Sequence, residues 1–201
     1  KGFLTRAIVS SFKAENMTQA QKLIADYESR YGKNMDALAE FEFEQGSYYY
    51  RHEDYVTAKK IFENIAGDYE ATKFGPWAHY YLGKILESAS KLQDAAKVYD
   101  NILTTNPMSD VVPRVLLSLG NMHFNAERFE EAIKFYQRII TVADSSNDGL
   151  PYAMNNLIEA YESTKLYDAA IKTVRDFLSR FPSAEHIIDK RIKLGTLFTK
   201  A

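Results

Sequence analysis

A stretch of about 37 residues is written five times along this chain and begun a sixth, and that repetition limits the fold more than any other feature. One register position holds Ile8, Gly46, Gly83, Gly120, Ile158 and Gly195, spaced 37 or 38 residues apart. Twelve residues beyond each of the first five stands an alanine: Ala20, Ala58, Ala95, Ala132 and Ala170. Glycine makes up roughly 7% of ordinary chains, so four glycines in register with five alanines are not an accident.

Four residues past each alanine comes Ile24, Phe62, Tyr99, Tyr136 or Val174, and three further on Tyr27, Ile65, Ile102, Ile139 or Phe177. The spacing i, i+4, i+7 marks one face of a helix, the second in each copy. The first helix is read from Leu82 with Ile85 and Leu86, from Leu119 with Met122 and His123, and from Leu157 with Ala160 and Tyr161. Polar stretches such as Ser88-Ala89-Ser90-Lys91 and Asn125-Ala126-Glu127-Arg128 form the turn between the two. Gly75-Pro76, Asn106-Pro107-Met108-Ser109-Asp110, Ser145-Ser146-Asn147-Asp148-Gly149 and Pro182-Ser183 separate the copies. Pro76, Pro113 and Pro151 each fall at the start of a first helix, where a missing N–H is harmless. Glycine inside a helix costs ~1 kcal/mol relative to alanine, so its recurrence points to a helix crossing that needs a small residue.

The order Leu-Gly, an apolar or aromatic residue three later, alanine, a large residue four later and a closing proline resembles the tetratricopeptide repeat. The resemblance covers the whole chain and implies an all-α fold, a right-handed α-solenoid of antiparallel helix pairs. Residues 1–201 are then one solenoid domain, with repeats near 1–38, 39–75, 76–112, 113–150 and 151–187. A partial repeat or capping helix spans 188–201. The tryptophan of the family pattern is replaced by Leu4, Glu42, His79, Leu116 and Met154, and the period is three or four residues longer. The longer spacing is similar to that of repeat proteins of the bacterial envelope.

In a stack of helix pairs the first helices line the concave side. By the resemblance, places two, five, nine and twelve of each repeat face a groove. They are Glu40, Phe43, Ser47 and Tyr50; Trp77, Tyr80, Lys84 and Glu87; Arg114, Leu117, Asn121 and Phe124; and Tyr152, Asn155, Glu159 and Glu162. Aromatic and amide side chains suit an extended or helical peptide, giving contact area and hydrogen bonds at small entropic cost. Trp77, the only tryptophan, is the strongest single candidate for a groove or rim contact. Tyr48, Tyr49 and Tyr50 cannot share one direction on a helix, so one or two of them belong to the core. The paired lysines and asparagines with which related proteins hold a carboxylate tail are not assembled, although Arg114, Asn121 and Asn155 could hold one anionic or backbone group.

Charge is nearly balanced, 25 basic against 27 acidic residues, which gives no reason to expect a nucleic-acid partner. No apolar run approaches the ~20 residues that span a bilayer, so no membrane insertion by this segment is expected. Absence of cysteine suits a reducing cytoplasm and an oxidising envelope equally. The chain opens on Lys1 and stops inside a sixth repeat, which suggests a piece of a longer protein. His52, His79, His123 and His186 lack metal-ligand spacing, and His123 takes a tyrosine's place in the repeat. Glu40, Glu42 and Glu44 stand two apart and point to different sides of a helix.

The expectation is a non-enzymatic scaffold, without cofactor or metal, that binds a peptide or protein segment. The alternative is a regulatory or oligomerisation domain of a larger protein, self-associating through Ile188, Ile192, Leu194 and Phe198 at its end.

Overall fold

The computed structural model describes residues 2–143, 149–183 and 187–201. The Ser145–Asp148 part of one inter-repeat loop and His186 lie outside them. The described residues form eleven α-helices and no strand. In order these are α1 (Gly2–Lys13), α2 (Met17–Tyr31), α3 (Met35–Arg51), α4 (Tyr55–Asp68), α5 (Phe74–Ser88), α6 (Leu92–Thr105), α7 (Val112–Asn125), α8 (Phe129–Val142), α9 (Leu150–Ser163), α10 (Tyr167–Arg180) and α11 (Ile187–Phe198). They fall into two compact units, Lys1–Val111 and Val112–Ala201.

In the first unit α1 packs on α2, α3 on α4, α4 on α5 and α5 on α6, and the first helices α1, α3 and α5 touch in sequence. In the second unit α7 packs on α8, α8 on α9, α9 on α10, α10 on α11, and α7 on α9. Each unit is therefore an all-α helical repeat, as the resemblance implied. Pro76, Pro113 and Pro151 sit in the first turns of α5, α7 and α9. Helix α3 starts at Met35, four residues ahead of the expected 39, because the Asn34 side chain accepts from Ala37 N–H at 3.0 Å and caps it there.

The reason for the register glycines is the ring that lies over them. A Cβ on Gly83 would stand 2.4 Å from Cε1 of Tyr99, and one on Gly120 2.5 Å from Cε1 of Tyr136. At Gly46 the nearest atom is Cε1 of Phe62 at 2.9 Å. The aromatic always comes sixteen residues after its glycine, and all three rings are fully buried. Where the first helix carries Ile8 or Ile158 instead, the later position shrinks to Ile24 or Val174. Gly195 has nothing within 4 Å and is exposed, since within the described chain no second helix follows α11.

The five turns inside the repeats are alike. Glu15, Glu53, Ser90, Glu127 and Lys165 adopt φ between 57° and 60°, each seven residues after the register position. At Ser90 the N–H donates to Glu87 O (2.8 Å), and the next residue, Lys91, donates to Leu86 O (2.9 Å), as in a Schellman closure. The same pair of main-chain bonds recurs in the other four turns. All five register alanines are fully buried.

Candidate functional site

On α3 and α5 the sequence-expected face gathers into one aromatic cluster. The Phe43 ring lies 5.2 Å from Phe74, 6.1 Å from Trp77 and 5.6 Å from Tyr81, centroid to centroid. Tyr80 lies 6.0 Å from Trp77 and 5.9 Å from Tyr99. Tyr50 joins through Tyr81, at 5.0 Å. Phe43, Tyr50, Trp77 and Tyr80 are all half-buried, and Phe43 and Tyr50 pack against the core of the first unit. The Trp77 indole donates to Oδ1 of Asp110 at 2.7 Å, which holds the ring against the loop that follows α6. Burial pushes the Tyr50 hydroxyl up to about 12, with the neighbouring Tyr55, Tyr80, Tyr81 and Glu87 adding to the rise. It is thus a proton donor at any physiological pH.

Lys84 Nζ donates to Oε2 of Glu87 at 2.7 Å, and the Tyr99 hydroxyl donates to the other carboxylate oxygen. The lysine is therefore partly neutralised by its neighbour one turn on. Ser47 is buried and Glu40 half-buried. Tyr81 is not among the residues expected from the sequence, yet it stacks on Phe62 at 4.8 Å with planes 9° apart and joins Tyr50, Tyr80 and Phe43. Its only sequence signal is its place beside Tyr80. Of the tyrosine triplet, Tyr49 and Tyr50 pack against the core, while Tyr48 lies 4.2 Å from His52.

The second unit uses its expected residues differently. Oδ1 of Asn121 accepts from the Tyr136 hydroxyl and from Nδ2 of Asn156, both at 2.8 Å, and so braces α7, α8 and α9 together. Burial is the main cause that lifts the Tyr136 hydroxyl to about 12. Phe124 packs edge-on against Phe129 at 5.2 Å, across the turn between α7 and α8. Arg114 and Leu117 are half-buried, Tyr152 is 67% exposed and Glu159 is exposed. Oδ1 of Asn155 is buried and has no hydrogen-bond partner. Glu162 takes Lys193 and Lys200 of the last segment as partners.

Glu42 faces away from this surface, accepting from Asn64 at 2.5 Å and from the Tyr69 hydroxyl at 3.2 Å. His123 is half-buried with its ring 5.2 Å from Phe135, and His52 is exposed at its turn. Among the described residues no group of three His, Asp or Glu side chains could hold a metal ion, and no helix is long and apolar enough to cross a membrane.

The comparisons with known proteins agree with this geometry. The class is set by the helix pairs, their turns and the glycine-to-ring packing: a helical-repeat protein. Residues 43–110 match the family model for the tetratricopeptide repeat, and the resemblance read from the sequence holds. No curated protein matches the chain. The apo form of RapI superposes with a TM-score of 0.68 at 14% identity, over 90% of this chain and 69% of RapI. TTC0263, a thermophilic TPR protein of Thermus thermophilus, gives 0.60 at 13% identity over 98% of each chain. A chain of the APC/C hetero-tetramer Cut9–Hcn1 gives 0.62 at 14% identity over 98% of this chain, but over only 36% of that one. At such identities the likeness is one of fold.

Proposed function

We propose that this chain is a scaffold that binds a segment of another protein on the first-helix face of α3 and α5. The supporting observation is the half-buried run of Phe43, Trp77, Tyr80 and Tyr50, with Lys84 and Glu87 at its end. Rings braced by one another lose little freedom on binding, so apolar contact with a peptide is not offset by ordering of the site. The protonated Tyr50 hydroxyl supplies a donor for a peptide carbonyl, and Lys84 and Glu87 select among charged side chains.

Trp77 is the sole tryptophan, so its emission reports on this face alone. Peptides selected from a random displayed library should change Trp77 emission on binding and lose tenfold or more in affinity to Tyr80→Ala. Selected peptides that bind with unchanged emission and survive Tyr80→Ala would refute the assignment.

A second reading rests on α11, where Ile188, Ile192 and Phe198 are 67%, 62% and 52% exposed. Such an apolar face favours association with another copy of the chain. Light scattering across a concentration series tests it, and a strict monomer at high concentration disproves it.

A further inference from the structure

The first repeat departs from the others at one buried position. Where the later second helices carry Ile65, Ile102, Ile139 and Phe177, α2 carries Tyr27. All five side chains are buried, Tyr27 completely. Phe177 shows that this position can take an aromatic ring with no hydroxyl. The Tyr27 hydroxyl is buried without a hydrogen-bond partner, a state that buried polar groups rarely keep.

Tyr27 lines a cleft of about 580 Å³ in the first unit, together with Thr5 of α1, Asp36 and Glu40 of α3, and Lys73 and Phe74 where α5 begins. Asp36 and Glu40 are one helical turn apart and share a face, and Glu44 continues the row one turn further on. Like charges so spaced repel. Burial holds the Glu44 carboxyl above its ordinary range, against Lys13 and Arg51, and Glu40 adds to the rise. A cation placed beside this row relieves the repulsion. The Lys73 ammonium rests over the Phe74 ring, 4.8 Å from its centroid.

We propose that this cleft receives the side-chain ammonium of a lysine carried by a partner polypeptide. The apolar stem lies against the edge of Phe74, and the three N–H donors are accepted by Asp36, Glu40 and, at the floor of the cleft, the Tyr27 hydroxyl oxygen, three donors to three acceptors. The inference rests on the chain binding protein segments; the cleft adjoins the aromatic face at Glu40 and Phe74 but is not lined by Tyr50, Trp77 or Tyr80.

The test is a ¹H–¹⁵N chemical-shift titration of the whole chain with Nα-acetyl-lysine N-methylamide. The norleucine analogue, which lacks the ammonium, serves as control. The lysine probe should shift the amides of Tyr27, Ala37 and Glu40 and bind at least tenfold more tightly than norleucine. Tyr27→Phe should weaken it tenfold or more while the melting temperature stays level or rises, since the change removes only an unpartnered hydroxyl. A core role alone leaves the affinity of Tyr27→Phe unchanged, and that result overturns the proposal. So does equal binding of lysine and norleucine probes. Should Tyr27→Phe not fold, Glu40→Gln decides: a tenfold loss is expected, and an unchanged affinity is fatal. Tighter binding of n-pentylamine than of the lysine probe overturns the polypeptide source. Tyr80→Ala should leave the lysine titration unaltered, so failure of the aromatic face and failure of this cleft are read separately.

Discussion

Replacing Gly83 with alanine adds one carbon where the fold has no room for it. The new Cβ would meet Cε1 of Tyr99 at 2.4 Å and Cζ at 2.8 Å. Carbon atoms pack at about 3.5–4.0 Å, so the ring must retreat by roughly 1 Å. Tyr99 is fully buried, and its hydroxyl is held by Glu87, itself held by Lys84. Overpacking of this kind costs ~1–3 kcal/mol, and disturbing a hydrogen bond to a carboxylate adds ~1.5–3 kcal/mol. Alanine returns ~1 kcal/mol of helix propensity. The net loss is about 1.5–5 kcal/mol, which at a slope of about 2 kcal/mol/M lowers the urea midpoint by about 0.75–2.5 M. Circular dichroism during urea unfolding measures it. With Tyr99→Leu in the background the clash is gone, so Gly83→Ala should be neutral or stabilising, a coupling of about 2 kcal/mol or more. Gly195→Ala, with open space around it, should instead gain up to ~1 kcal/mol. The packing argument fails if Gly83→Ala behaves like Gly195→Ala, or costs the same in both Tyr99 backgrounds.

Three further outcomes follow from the same coordinates. Lys91 starts α6 without a side-chain cap at φ −88°, ψ 58°, close to the φ −76°, ψ 70° of Asp54, whose carboxylate accepts from Thr57 N–H at 3.0 Å. Lys91→Asp should therefore stabilise by ~1 kcal/mol, and a lower urea midpoint would count against it. Burial raises the Glu44 carboxyl in the folded chain, so ionising it opposes folding, and stability falls as pH rises from the ordinary carboxylate range through the raised value. Glu44→Gln should melt higher than the parent at neutral pH and equal to it at about pH 4; a difference independent of pH contradicts this. Burial pushes the Glu162 carboxyl up, but Lys193 and Lys200 more than offset it and hold it below the usual range. Its contribution is present above the ordinary carboxylate range and is lost as pH falls through the lowered value. Protection of the α11 amides relative to their intrinsic exchange rate should fall below about pH 4 in the parent and be low both there and at neutral pH in Glu162→Gln.

The register of the repeat is legible because glycine, alanine and large side chains differ in volume, and helices that cross closely sort residues by volume. What sits on each glycine is not legible as a pair, since Gly83 and Tyr99 belong to different helices. The turns are legible as polar stretches but not as left-handed corners, because Glu15, Glu53, Ser90, Glu127 and Lys165 are not residue types that announce positive φ. The α3 start escapes a pattern aligned on later repeats, where no asparagine precedes the first helix as Asn34 does. The groove places are read from position alone. That reading cannot tell an aromatic that faces solvent from one like Phe124 that closes on Phe129, nor see that Asn121 is engaged by Tyr136 and Asn156. In the sequence Tyr27 is one more large residue on the packing face, and only its orphan hydroxyl and the cleft beside it set it apart.

A ring seated in the gap left by a missing side chain works as a key in a keyway. Partners of uniform size could creep along one another residue by residue under load, but Gly83 with Tyr99, and Gly120 with Tyr136, leave a single axial setting for each hairpin. Pulled from its ends, such a hairpin should hold its length and then give way in one abrupt event, a stiff strut and not a spring.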